Sequence, residues 1–268
     1  MATIYQVSEL AGVSLATVSR VVNKNARVSE KTAKKVQDAM AELGYRPNSI
    51  ARSLASNRTN SIGLLVSELH GPFFGSMMSG IETELRAQGK HTIIASGHSD
   101  EATEKDSIEF LINRNCDSLI LHVEAVSDDY LLALSKDKMP LVIINRSVPG
   151  LEDRCICLDN ERGGYMATQS LIERGHKTFA YISGPMWKKD AQDRYHGHLR
   201  ALHEANIQQD ELLVFEGNFQ QEGGRTGIQS LVEQDIKFDA LVCGNDEMAS
   251  GAMAMARELG LHVPHDIS

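Results

Sequence analysis

From Ile4 to Leu43 the apolar positions recur at helical spacing and never alternate as they would in a strand: Val7, Leu10 and Ala11, then Val18, Val21 and Val22, then Val36, Ala39, Met40 and Leu43. Three short helices follow from that spacing. Gly12 supplies the backbone freedom of a tight turn between the first two, and Ser14 stands where a side chain caps the second. Ser29 caps the third, with Lys31 and Thr32 in its first turn. The unit closes at Gly44-Tyr45-Arg46-Pro47-Asn48, because Pro47 cannot continue a helix and disfavours helical geometry at Arg46. Asn48 then caps a short helix running from Ser49 to Ser56. Its apolar residues Ile50, Ala51, Leu54 and Ala55 are too few to hold it folded without a partner.

Beyond Asn60 short apolar runs are separated by longer amphipathic stretches, which predicts parallel strands alternating with helices. Strands are expected at 62–66, 92–95, 118–121, 141–144, 155–158, 179–183, 212–215 and 240–243. Helices are expected at 73–88, 103–115, 128–136, 162–174, 191–205, 222–233 and 246–259. The rhythm breaks at 149–154, where the chain is expected to cross between two α/β lobes. No other internal repeat is evident.

With 268 residues and 42% hydrophobic content, the chain can bury cores in two or three folded units. The net charge of −9 taken alone argues against a nucleic-acid partner, but its distribution reverses the argument. Residues 1–60 carry nine Lys or Arg against four Asp or Glu, a net of +5, which leaves −14 on residues 61–268. A basic head on an acidic body fits a nucleic-acid module joined to a domain that has no reason to touch DNA. No apolar run approaches the roughly 20 residues of a membrane span, and the N-terminus lacks a basic segment followed by an apolar stretch, so a cytoplasmic protein is expected. Cys116, Cys155, Cys157 and Cys243 are too few and scattered for a disulfide framework or a zinc site and read as reduced core thiols.

In the second short helix Val18, Val21 and Val22 share the core face, which leaves Ala16, Arg20 and Asn23 at i, i+4 and i+7 on the outer face and Leu15 at the leading end. Such a helix placed in a major groove aims those side chains at base edges. Arginine bonds guanine bidentately, and Leu15 and Ala16 suit thymine methyl groups, so Leu15, Ala16 and Arg20 are the expected base readers. Ser14, Thr17, Asn23, Arg27 and Thr32, short donors or cations near helix ends, suit phosphate contacts that set register without reading sequence. A three-helix protein-interaction module is the alternative.

These residues carry a resemblance. Val13-Ser14-Leu15-Ala16-Thr17-Val18-Ser19-Arg20-Val21-Val22-Asn23, with Tyr45-Arg46-Pro47-Asn48 and Ala51-Arg52-Ser53-Leu54-Ala55, resembles the lactose/galactose repressor family of bacterial transcription regulators. The likeness continues through Ile62-Gly63-Leu64-Leu65-Val66, Asp159-Asn160-Glu161-Arg162-Gly163-Gly164-Tyr165, Arg174-Gly175-His176 and Gly244-Asn245-Asp246-Glu247-Met248-Ala249, and so covers essentially the entire chain. It implies a small all-α helix-turn-helix head and an α/β periplasmic-binding-protein-like core of two lobes with parallel sheets, closing on a small ligand. It also implies a linker helix that folds on operator DNA in a dimer and wedges a leucine into the minor groove, the position of Leu54 here with Ala51 beside it. Leu54 as a buried core residue is the other reading. The family pattern continues past the equivalent of Val263-Pro264-His265-Asp266-Ile267-Ser268 with further strands and helices, including an Ile-Gly-Phe-Asp-Asp-like segment. A chain ending at that point would leave sheet edges uncovered and lack part of the dimer surface.

Open α/β sheets place ligands beyond the carboxyl ends of their strands. After the first strand come His70, Gly71, Pro72, Phe73 and Phe74, whose rings offer a flat face to a pyranose or a purine, or else pack in the core. Arg194 matches the family arginine that bonds effector oxygens, with a surface ion pair to Asp190 or Asp193 as the alternative. Asn245 is read as a ligand residue and Asp246 as the cap of the helix that follows, while Asn145 and Arg146, beyond the fourth strand, are expected to line the cleft from the other lobe. Ile143-Ile144-Asn145-Arg146 with Pro149-Gly150, and Arg154-Cys155-Ile156-Cys157-Leu158-Asp159, look most like the galactose-responsive branch, which implies galactose or a related aldohexose as effector. A purine corepressor is the runner-up.

The chain is thus expected to divide into a helix-turn-helix domain (1–45), a hinge with a short helix (46–58), an N-terminal lobe (59–154) and a C-terminal lobe (155–268). Its expected partners are double-stranded operator DNA, a small sugar effector and a second copy of itself, with a tetramer as an option and no membrane. No cofactor or metal is called for. A plain sugar-binding transport protein would lack the basic head. An enzyme is not indicated: phosphate-loop, nucleophile-elbow and His-Glu-x-x-His motifs are absent, and His91, His122 and His203 read as packing or surface residues.

Overall fold

A computed structural model describes residues 2–23, 28–46, 58–136 and 139–268. The short linker helix, with Ala51 and Leu54, and the phosphate candidate Arg27 lie outside the described residues. The head contains helices α1 (Ile4–Ala11), α2 (Leu15–Asn23) and α3 (Glu30–Glu42). Thr3 opens α1 with a capping box closed by Gln6, and Gly12 ends it at φ 65°, the left-handed conformation that a residue without Cβ adopts most readily. Ser14 Oγ accepts from Thr17 N at 3.2 Å and Ser29 Oγ from Thr32 N at 3.3 Å, so both expected caps are in place. Val7, Ala11, Val18, Val36 and Ala39 form a buried core ringed by Ile4, Val13, Val21, Val22, Met40, Leu43 and Tyr45. Leu10, expected inside, is 46% exposed.

The body is a run of strand-helix units: β1 (Ser61–Val66), α4 (Pro72–Ala87), β2 (His91–Ser96), α5 (Glu101–Asn113), β3 (Ser118–Leu121), α6 (Asp128–Lys136), β4 (Leu141–Ile144), β5 (Cys155–Ile156), α7 (Asn160–Glu173), β6 (Phe179–Ser183), α8 (Lys189–Glu204), β7 (Val214–Glu216), α9 (Gln221–Glu233), β8 (Ala240–Cys243) and α10 (Asp246–Glu258). Hydrogen bonding orders the strands β2-β1-β3-β4-β5 in one sheet and β7-β6-β8 in the other. The recorded pairs are all parallel. The chain divides into two compact units, 1–142 and 143–268. The strand expected at 155–158 stops at Ile156, and the one expected at 212–215 begins only at Val214. There Asp210 accepts from Leu212 N at 2.9 Å and winds Glu211–Leu213 into a single 3-10 turn, exposing Leu212 and burying Leu213. Of the four cysteines, Cys157 is exposed rather than a core thiol, while burial pushes Cys243 up to about 12.

A repeat that the residues do not advertise emerges from the topology. Strand order β2-β1-β3 in the first sheet is reproduced by β7-β6-β8 in the second, each built as strand-helix-strand-helix-strand. In both, an aspartate at the foot of the third strand pins the entry to the first. Asp117 accepts from Thr59 N at 2.8 Å and Asn60 N at 2.9 Å; burial opposes its charge, but these bonds outweigh it and hold the carboxyl below its ordinary range. Asp239 accepts from Thr178 N at 3.0 Å and Lys177 N at 3.1 Å.

The second unit also buries a histidine. His198 on α8 sits against Tyr181 with ring centroids 4.6 Å apart, between Thr168 Oγ1 and Gln209 Oε1, each 2.8 Å from a ring nitrogen. The Gln209 amide nitrogen is committed to the Asp210 and Phe179 carbonyls, so its oxygen faces the ring and Nε2 carries the proton. Burial drives the imidazole down to about 4. The depressed folded value stabilises the fold above the unfolded value near 6.5, and that stability disappears as pH falls toward 4. Chemical denaturation of the wild type is therefore expected to lose roughly 3 kcal/mol more than that of His198→Gln between pH 7 and pH 4.

Candidate nucleic-acid interface and effector site

In the head, the α2 face away from Val18 carries Ala16, Arg20 and Asn23, all exposed, with Leu15 half-buried at the first turn. The cap Ser14 and its partner Thr17 are linked hydroxyl to hydroxyl at 2.9 Å, and Ser29 and Thr32 repeat that arrangement at the start of α3. Two helix N-termini are thus edged with hydroxyls. Asn23 Nδ2 donates to Ser19 Oγ at 3.2 Å, which fixes the amide on the outer face.

In the first unit, the carboxyl ends of β1, β2 and β3 carry a polar cluster. Ser67 Oγ lies 3.0 Å from Nδ1 of the buried His122, and Ser96 Oγ donates to the Ser67 carbonyl at 2.9 Å. Ser99 donates to Glu124. Beneath them the fully buried Glu104 on α5 accepts from Glu124 N, Ala125 N and Val126 N at 2.8, 3.0 and 2.9 Å, an anion spent on fixing the loop after β3. Gly71-Pro72 starts α4 and puts Phe73 and Phe74 in its first turn. Their ring centroids are 5.1 Å apart, edge to face, and Phe74 stands 5.2 Å from His122. Phe73 is 50% exposed, so it is not a core residue; Phe74 is half-buried against His122.

In the second unit Arg194 is held from several sides. Its Nε donates to Asn160 Oδ1 at 2.9 Å and its Nη1 to the Gly244 carbonyl at 2.6 Å; the guanidinium lies 5.5 Å from the Phe219 ring centroid. Asp190 is 3.9 Å away, and Asp193 pairs with Lys189 instead. The surface ion pair weighed from the residues is thus only a loose contact. Asn160 also donates toward Asn145 Oδ1 at 3.4 Å, so Asn145, itself at φ 60°, joins the same chain of side chains. Asn145, expected on the opposite lobe, instead belongs to this unit together with Arg194 and Asn245.

Two readings change. Asn245, not Asp246, caps α10: its Oδ1 accepts from Met248 N at 2.9 Å, with Asn245 extended and Asp246 already in the first helical turn. Its amide nitrogen donates to the Phe219 carbonyl at 2.8 Å. Phe219 is the residue that sequence reasoning missed. It takes φ 64°, unusual for a bulky side chain, and its ring fills the space above Gly184, where a methyl group would strike it. The only sequence signal was an aromatic two residues past a glycine at a strand end.

A family model described as "Bacterial regulatory proteins, lacI family" matches residues 3–48, and one described as "Periplasmic binding proteins and sugar binding domain of LacI family" matches residues 59–268. The chain is 40% identical over 268 residues to the HTH-type transcriptional regulator GalR of Escherichia coli (strain K12), covering 100% of this chain and 78% of that protein. It is 36% identical over 269 residues to the HTH-type transcriptional repressor PurR of Aliivibrio salmonicida (strain LFI1238), covering 100% of this chain and 81% of that one. Among solved structures, the lac repressor dimer bound to operator and the anti-inducer ONPF matches with TM-score 0.89 and 30% identity, over 100% of this chain and 81% of that chain.

Because Asn245 both caps α10 and tethers Phe219, Asn245→Ala is expected to lower unfolding stability by about 1–2 kcal/mol, read by urea denaturation. Asp246→Ala is expected to change it by less than about 0.5 kcal/mol.

Proposed function

Because the chain belongs to the lacI family of bacterial regulatory proteins, it is a DNA-binding transcription regulator, and we propose that it is a repressor released from operator DNA by a small sugar, galactose or a related aldohexose. The observation that carries the sugar assignment is Arg194, a fork of donors fixed by Asn160 and the Gly244 carbonyl beside the Phe219 ring. Donors in a plane for vicinal hydroxyls, next to an aromatic face for the ring hydrogens, suit a pyranose. Asn145 and Asn245 are the other proposed effector contacts of this unit, and Phe73 and Phe74 those of the first. In the head, Leu15, Ala16 and Arg20 read base edges, while Ser14, Thr17, Asn23, Arg27 and Thr32 contact phosphates; Ala51 and Leu54 contact the minor groove. The protein acts as a homodimer on a two-fold operator, in keeping with the lac repressor dimer on its operator. Effector and operator affinities are linked reciprocally: a sugar that weakens DNA binding is itself bound less tightly by the DNA complex.

A purine effector is the second reading, favoured by Phe219, whose flat ring serves a base as well as a sugar, and by the likeness to a regulator named PurR. A thermal-shift comparison separates them. Galactose is expected to raise the unfolding temperature and hypoxanthine to leave it unchanged; the reverse outcome replaces the sugar by a purine.

Two substitutions test the rest. Arg20→Ala is expected to weaken operator binding by between about fivefold and a hundredfold in a gel shift and to leave binding to unrelated duplex nearly as before. Arg194→Ala is expected to retain operator binding in the absence of sugar and to lose the galactose-induced release, read by fluorescence anisotropy of labelled operator across a galactose titration.

A further inference from the structure

The chain has one tryptophan, Trp187, and the fold leaves it 59% exposed. Its loop is not slack. Between β6 and α8, Met186 N donates to Glu216 Oε1 at 3.0 Å, Gln192 Nε2 donates to the Met186 carbonyl at 2.7 Å, and Lys188 N closes a turn on the Pro185 carbonyl at 2.9 Å. The Lys188 ammonium lies 5.2 Å from the indole centroid. A large apolar ring is thus held out into water by a hydrogen-bonded frame, on the same strand-end rim of the second unit that bears Arg194, Phe219 and Asn245. Arg194 is five residues into α8, about 7.5 Å along its axis at 1.5 Å per residue. Trp187 stands two residues before that helix, so both residues belong to its N-terminal end.

We propose that Trp187 is the platform of a second sugar subsite, so that the preferred effector is a galactoside carrying a second ring on its anomeric oxygen rather than free galactose. This rests on the sugar reading above and adds to it the size of the ligand. An indole presents a broad face to the C–H side of a pyranose, and its N–H together with the Lys188 ammonium supplies donors for the outer ring's hydroxyls. Phe219 serves the inner ring and Trp187 the outer one.

Because Trp187 is the only tryptophan, the emission of the full chain reports on this site alone. D-galactose, lactose and melibiose are titrated separately into wild type, Trp187→Ala and Trp187→Phe, with binding followed by calorimetry and, in the wild type, by indole emission. One of the two disaccharides is expected to bind about tenfold more tightly than galactose and to shift the emission, while galactose leaves it nearly unchanged. The ratio of disaccharide to galactose affinity is expected to fall to about one in Trp187→Ala and to recover in part in Trp187→Phe. A wild-type ratio near one for both disaccharides, or a ratio that survives Trp187→Ala, overturns the second subsite and leaves the galactose reading intact. If neither galactose nor either disaccharide binds the wild type, the sugar reading fails and this inference with it.

Discussion

The backbone at Arg194 runs against Gly164 so closely that a methyl group on that glycine would strike the Arg194 carbonyl, and one on Gly197 would strike the carbonyl of Glu161. Helices α7 and α8 therefore cross main chain to main chain, with no side chain between them. Any larger residue would force the helices apart by about the thickness of a methyl group. That crossing makes the guanidinium geometry possible. Asn160 begins α7 and Arg194 lies in the second turn of α8, so only a close crossing lets the amide oxygen meet Nε at 2.9 Å. The Gly244 carbonyl and the Phe219 ring then fix the plane of the fork. A binding group is most useful when its rotamer entropy has been spent in folding, a condition that Arg194 meets for the effector role proposed for it.

A second pair of glycines works in the same way on α9 and α10. Gly224 lies against the Met248 carbonyl and Gly251 against that of Gln221, so these helices also approach backbone to backbone. Asn245 caps α10 at this end and ties down Phe219. The strained φ of Phe219 is thus balanced by a hydrogen bond on its own carbonyl and by the vacant Cα of Gly184 beneath its ring. In the first unit the corresponding work is done by charge. Glu104 gives up solvation to hold three consecutive amides, and the loop it fixes carries Glu124, which receives the Ser99 hydroxyl.

What could be read in the residues follows the same division. Regular elements announced themselves because their signals are local: the 3.6-residue spacing of Val18, Val21 and Val22, the capping serines 14 and 29, and the apolar run at Ile62–Val66 all act within a few residues. Arg194 was singled out through the likeness to known repressors and Asn145 through its place beyond a strand end, neither of them through periodicity. Phe219 was not found, since its role depends on a positive φ, on Gly184 thirty-five residues earlier and on Asn245 later in the chain, none of them a periodic signal. The exchange of Asn245 and Asp246 is a one-residue matter. Both are good caps, and only the backbone decides which of them is extended. His198 was silent for a similar reason, because its neutral state is set by burial against rings from other elements, with the Gln209 hydrogen bond opposing it.

The proposed head is economical in base readers, and this bears on how the body controls it. Leu15 and Ala16 offer only apolar contact, and Arg20 is the one side chain of the three able to form a bidentate bond with a base, worth about 1–3 kcal/mol of discrimination. Specific operators are usually preferred over random duplex by about 4–10 kcal/mol. One head falls short of that range, and two heads on one operator reach into it only when both are docked in register. Operator choice in this scheme is therefore a property of the pair. An effector has no need to touch either head or to alter its fold; it acts by changing how favourably the second head docks once the first is bound. Under this proposal the exposed, lightly bonded α2 face and the tightly bonded Arg194 cluster have complementary duties: the first stays adaptable so that it samples DNA, and the second is fixed in advance so that a small ligand's binding energy is passed on rather than absorbed in ordering the site.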